Sequence, residues 1–219
     1  MPAGAAVQGH VWLPPADVRA AGERANVPYL YAGQTADGEQ RTPFPATVAI
    51  HDVIVPAWPG VSSGGMRRDS ARLAGASHDP HRFGIAIDLM VRNDANRAAN
   101  GDALANFLVR YAEYLQIQYV LWSNYEWSSS HVGARWEPYT GSESHEDHVH
   151  VEIGNTARGW SHDDMAARLR AALSAQSAAQ GSLVSSGGAS PSTARNVAMA
   201  AVGAAAAVGL AAALGVFKA

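Results

Sequence analysis

Between residues 83 and 91 the chain alternates: Phe83, Ile85, Ile87, Leu89 and Val91 are set against Gly84, Ala86, Asp88 and Met90. A period of two is that of a strand with one strongly apolar face, so Asp88 is expected on the opposite, functional face. The alternation returns where His148, His150 and Glu152 interleave with Val149, Val151 and Ile153. Both histidines therefore share one face of a second strand while its valines face the core. Between these strands Leu104, Phe107, Leu108, Tyr111 and Leu115 follow the spacing of an amphipathic helix, and residues 117–122 follow as a strand. Residues 17–25 predict a short helix after Pro14-Pro15, and residues 46–55 are β-branched enough to predict a strand ended by Pro56. Ser161-His162-Asp163-Asp164 resembles a capping box opening a helix that runs to about residue 175. Helices and strands interleaved in this way, with short turns, predict an α+β fold with a small, mostly antiparallel sheet flanked by helices.

The pattern changes after residue 175. Residues 176–193 are rich in Ser, Gly and Ala and read as a flexible linker. Residues 197–217 then carry no charged or strongly polar side chain, and Arg195 and Lys218 flank them. As a helix this stretch would span about 30 Å, the thickness of a bilayer core. It is mostly Ala and Gly, so insertion is marginal, and an Ala-rich helix packed on a partner is the alternative. The expected organisation is a folded domain over 1–175, a linker over 176–193 and an apolar, Ala/Gly-rich tail over 194–219, a candidate membrane helix. The first ten residues show neither the basic nor the apolar region of a signal peptide, so export by that route is not expected.

Composition narrows the chemistry. With 219 residues, a net charge of −3 and no run of Lys or Arg, nothing suggests a surface for nucleic acid. The absence of Cys removes disulfides, thiolate metal sites and cysteine nucleophiles, leaving His and carboxylates as the available metal ligands. Five of the nine histidines fall in two short segments: His78 and His81 ahead of the Asp88 strand, and His145, His148 and His150 around the last strand. A zinc ion in catalysis needs three protein ligands and one open position for a water that becomes the nucleophile. His81, Asp88 and His150 supply such a set, since two lie on polar faces of strands that can be neighbours and the third on the loop entering the first. The alternative is a metal-free hydrogen-bonded network of the same groups. Trp122, Trp127 and Trp136 are expected either to line a groove or to pack in the core.

The segment from Asp79 through His81 and Gly84 to Asp88 resembles a signature S-x-H-x-x-G-x-A-x-D, and Glu146-Asp147-His148-Val149-His150 resembles a downstream H-x-H. Together they are similar to the zinc peptidases that include D-alanyl-D-alanine carboxypeptidases and dipeptidases, penicillin-insensitive murein endopeptidases and phage L-alanyl-D-glutamate endolysins. The resemblance covers roughly residues 48–154. It departs from the pattern at Asp79, where the signature has Ser, and at Ile85, where an Arg is common. It implies that His81, Asp88 and His150 bind Zn2+. Relatives place a carboxylate three residues before the last ligand or a histidine five before it, which gives Asp147 or His145 as catalytic base, with Asp147 preferred. His145 and His148 would then donate hydrogen bonds to the oxyanion. Gly65-Met66-Arg67-Arg68 resembles a segment that carries a substrate-binding arginine, pointing to Arg67 or Arg68.

The expected function is zinc-dependent hydrolysis of peptide bonds in bacterial peptidoglycan, with stem peptides as substrate. Without a signal peptide the chain would reach the wall by phage-type release, by an injection particle, or through its apolar tail. The alternatives are a non-catalytic wall-binding component of such a particle and a zinc peptidase acting on free D-Ala-D-Ala-type dipeptides.

Overall fold

In a computed structural model the chain is described over residues 9–30, 42–66, 79–130, 135–141 and 143–186, with backbone alone from residue 180. Helices α1 (Ala16–Arg24) and α2 (Pro45–Ala57) lead into strands β1 (Val61–Gly65) and β2 (Ala86–Val91). Helices α3 (Arg97–Arg110) and α4 (Ala112–Leu115) precede strands β3 (Ile117–Trp122), β4 (Tyr125–Ser128), β5 (Trp136–Pro138) and β6 (His148–Ile153). A 3-10 turn (Thr156–Gly159) then leads to helix α5 (His162–Ser186). The fold is α+β, as the patterning predicts.

The six strands form one sheet in the order β1-β2-β6-β3-β4-β5, with every neighbouring pair antiparallel. The last strand in sequence therefore lies at the centre, between β2 and β3. Val149, Val151 and Ile153 of β6 join the apolar cluster that includes Ile50 and Ile54 of α2 and Leu104, Phe107 and Leu108 of α3. The opposite face of β6 carries His148, His150 and Glu152, also buried. Two left-handed residues, Ser123 (φ 46°) and Asn124 (φ 61°), make the two-residue reversal between β3 and β4, where positive φ at both positions matches the right-handed twist of the strands.

The structure corrects the strand expected over residues 46–55: this segment lies in α2. Its buried apolar residues Ala46, Ala49, Ile50, Val53 and Ile54 recur at i, i+3, i+4, i+7 and i+8, and this period overrides β-branched propensity. Pro45 at the first helical turn brings the φ a helix needs and lacks only an N–H that would have no partner there. Helix α5 also runs further than expected, to Ser186, through the first part of the Ser/Gly-rich stretch. Its opening is a reciprocal cap: the amide N–H of Asp164 donates to Ser161 Oγ at 3.1 Å, and that of Ser161 to Asp164 Oδ2 at 3.1 Å. Trp122, Trp127 and Trp136 are core residues rather than groove walls, and Trp12 packs edge-on to Trp136 with ring centroids 5.4 Å apart.

The segment before α1 is tied to α3 by side chains. Trp12 is fully buried and donates from Nε1 to Asn106 at 3.0 Å, while His10 and Trp122 both meet Asp102 Oδ1, at 2.8 and 2.9 Å. Arg67 and Arg68, the far part of the linker and the apolar stretch 197–217 lie outside the described residues. Among the described residues no helix is long and apolar enough to cross a membrane.

Candidate metal centre

Three elements bring the site together. Asp88 on β2 and His150 on β6 are directly opposed across the antiparallel ladder, so their side chains rise from the same face. His81 comes from the turn that enters β2. That turn is built on Asp79, whose Oδ1 accepts the amide N–H of His81 at 3.0 Å, and on Gly84 at φ 70°. The Gly84 carbonyl accepts from Thr47 Oγ1 at 2.8 Å and from the Phe44 amide at 3.0 Å, which seats the start of α2 against the turn. An aspartate where the resembled signature has serine thus still supplies an acceptor for the local backbone N–H.

His81 Nε2, Asp88 Oδ1 and His150 Nδ1 converge on one another. Their separations are 3.2 Å for His81 to Asp88, 3.0 Å for His150 to Asp88 and 3.3 Å for His81 to His150. A tetrahedral ion with ligands at 2.0 to 2.1 Å has neighbouring donors about 3.3 Å apart, so these three atoms form one face of such a tetrahedron. All three residues are buried, and they form a group that could hold a metal ion. The donor set of two imidazoles and one carboxylate suits a borderline-soft divalent metal.

Without an ion the three groups are tied to one another by charge and hydrogen bonds. Burial works against ionisation of Asp88, but hydrogen bonds from His150 and His81 outweigh it and hold the carboxyl far below the usual range. Burial likewise works against protonation of His150, yet its hydrogen bonds to Asp88 and Glu152 raise it to about 9. Without a metal, a proton on His150 neutralises Asp88; a metal would take the place of that proton.

His148 and His145 complete the surroundings. His148 Nε2 lies 3.6 Å from Asp88 Oδ1 and is buried without a hydrogen-bond partner, and its Nδ1 meets Asp147 Oδ1 at 2.7 Å. The Asp147 side chain is 55% exposed, so it touches the site through His148 rather than lying in it. His145 adopts φ 50°, and its ring centroid is 4.6 Å from that of His148 and 6.0 Å from that of His150. Burial lowers the His145 pKa to about 4, so the ring is neutral at pH 7. With its Nδ1–H donated to the Glu143 carbonyl at 2.7 Å, its Nε2 is left as an acceptor. Glu146 is turned aside, accepting from Asn124 Nδ2 at 3.0 Å.

Glu152 stands on the histidine face of β6, as its alternation with the valines predicts, and has a contact that the sequence pattern does not reveal. Its Oε1 lies 3.3 Å from His150 Nε2, on the edge of the ring away from Asp88, and its Oε2 accepts from Gln118 Nε2 at 2.8 Å. The available signal was the i, i+2 spacing from His150; what it lacked was the identity of the neighbouring strand.

Fold and site together define an α+β protein with a buried His–Asp–His centre at the middle of an antiparallel sheet. The profile described as "VldE, C-terminal domain" matches residues 40–150, about half of the chain, from just before α2 through His150. The chain belongs to this VldE C-terminal domain family, and the matched region contains all three candidate ligands. No curated protein and no solved structure matches it.

Proposed function

We propose that the protein is a zinc-dependent peptidase acting on peptide bonds of bacterial peptidoglycan. The observation that carries the metal part of this reading is the triangle of His81 Nε2, Asp88 Oδ1 and His150 Nδ1, with sides of 3.0 to 3.3 Å. The substrate part rests on the resemblance of the His81–Asp88 and His148–His150 segments to cell-wall zinc peptidases.

His81, Asp88 and His150 would hold the ion, which when bound polarises a carbonyl and lowers the pKa of a water. The other residues divide the proton work. Asp147 accepts the Nδ1–H of His148, so His148 Nε2 presents a lone pair to the site. His148 takes the proton of the attacking water and returns it to the leaving amine, as a positioned imidazole does in general acid–base catalysis. Asp147, expected from the sequence to be the base, becomes the positioning residue. Neutral His145, with Nε2 unprotonated, is a second acceptor rather than an oxyanion donor.

Purified sacculi incubated with zinc-loaded full-length protein should release defined peptide fragments identifiable by mass spectrometry. Chelation, or His81→Ala, should abolish release. His148→Ala should lower the rate by roughly 10²- to 10⁴-fold with zinc still bound, and Asp147→Asn should lower it less. Stoichiometric zinc binding with no fragment released from any sacculus chemotype would rule out wall hydrolysis.

A further inference from the structure

Glu152 sits on β6, the central strand, paired with Ala86 of β2 on one side and Tyr119 of β3 on the other, and is 7% exposed. A carboxylate in the middle of a sheet carries a desolvation cost that an apolar residue would avoid, so what it touches decides its purpose. It touches His150 Nε2 through one oxygen and Gln118 through the other. The two nitrogens of an imidazole are separated by one ring carbon and point in diverging directions, so Glu152 at Nε2 meets His150 outside the ligand triangle at Nδ1.

Gln118 is held there by a backbone irregularity. The β3–β6 register pairs Ile117 with Ile153 but Tyr119 with Glu152, so Gln118 is the extra residue of a bulge, a device that re-aims a side chain. Both ends of its amide are engaged. Nε2 donates to Glu152 and, at 3.0 Å, to the Leu30 carbonyl, while Oε1 accepts the Leu30 amide N–H at 2.8 Å. A continuous chain of hydrogen bonds therefore runs from the backbone of Leu30 through Gln118 and Glu152 to the far edge of His150.

We propose that Glu152 and Gln118 are the outer layer of the metal centre: Glu152 accepts the Nε2–H of His150 and so fixes the ring with its Nδ1 lone pair toward Asp88 and His81, while Gln118 fixes Glu152. Outer partners of this kind set ligand tautomer and orientation and typically account for about 10- to 100-fold in metal affinity. The assignment rests on the metal reading of the site but not on its being a peptidase.

The test compares full-length wild type, Glu152→Gln, Gln118→Ala and the double variant. Three readouts apply: zinc affinity by chelator competition, the visible spectrum of the cobalt-substituted protein, and metal-free thermal midpoint. Glu152→Gln is expected to weaken zinc binding by about 10- to 100-fold and to alter the cobalt spectrum, with the metal-free midpoint within a few degrees of wild type. Gln118→Ala, which leaves the carboxylate in place, should weaken binding less, and the double variant should bind no more weakly than Glu152→Gln alone. Wild-type affinity and spectrum in Glu152→Gln would overturn the proposal, as would fully additive losses in the double variant. If wild type binds no zinc, the metal reading fails and this inference with it. If wild type binds zinc but cleaves no sacculi, only the peptidase reading fails.

Discussion

At the scale of single residues, two histidines shift in opposite directions and make the metal-free protein sensitive to pH on both sides. His150 is raised from 6.5 to about 9, so from pH 6.5 to 9 the folded chain holds a proton that the unfolded chain has lost. Its stabilisation is complete below 6.5 and disappears as pH rises through 9. His145 is lowered to about 4, so between pH 6.5 and 4 the unfolded chain binds the extra proton and stability falls as the solution is acidified. Each contributes a slope of up to about 1.4 kcal/mol per pH unit, of opposite sign, so their joint contribution peaks near pH 6.5. Asp88, held far below its ordinary value, contributes fully across this window. Denaturant midpoints of the chelated protein from pH 4.5 to 9 should trace that peak. Zinc-loaded protein should lose the alkaline fall, because the metal replaces the His150 proton. A metal-free midpoint that rises steadily from pH 6.5 to 9 would contradict the assignment. The convergence of His81, Asp88 and His150, the candidate ligands, was legible in the sequence because each stands at a strand-face or turn position. The contact of Asp147 with His148 was not, because Asp147 stands in the bend just before β6, where no strand period says which way its carboxylate turns.

At the scale of elements, the period-two strands and the helix around Phe107 were readable because burial on one face leaves a period in the sequence. Helix α2 was misread because Thr47, Val48, Ile50, Val53, Ile54 and Val55 favour strands locally, while the partners that decide the matter, chiefly α5 and also β2, are remote in sequence. The Gln118 bulge was invisible for a related reason: a bulge is a property of a pair of strands. Helix α3 crosses the sheet at Gly101, where an added Cβ would stand 2.0 to 2.6 Å from the ring of Trp122. That ring is buried and pinned through Asp102, so it has little freedom to yield. Gly101→Ala gains about 1 kcal/mol in helix propensity but overpacks the contact, and at so close an approach the cost lies at the upper end of the usual range, about 3 kcal/mol. A net loss of roughly 2 kcal/mol is expected from urea unfolding with an unchanged m-value. A neutral or stabilised variant would mean that α3 stands off the sheet.

At the scale of the molecule, the segment before α1 is part of the core. Trp12→Ala should cost about 3 to 5 kcal/mol, because it empties a fully buried site and leaves Asn106 without its donor. Thermal unfolding would show this, and a midpoint within 2 °C of wild type would mean that the segment is only draped on α3. The other end differs, since Gln176 is the last buried side chain described on α5. The sequence also told less there, because composition marked residues 176–193 as a linker while α5 continues to Ser186. Asp88 and His81 lie 62 and 69 residues from His150 along a chain that has no cysteine. An ion held by all three ties together distant parts of the polymer as a disulfide would, but reversibly, and it favours the folded state by mass action. Without the ion β2 and β6 would still be joined by their backbone ladder, but the added cross-link would be lost, and the metal-free protein would be the form more open to proteolysis.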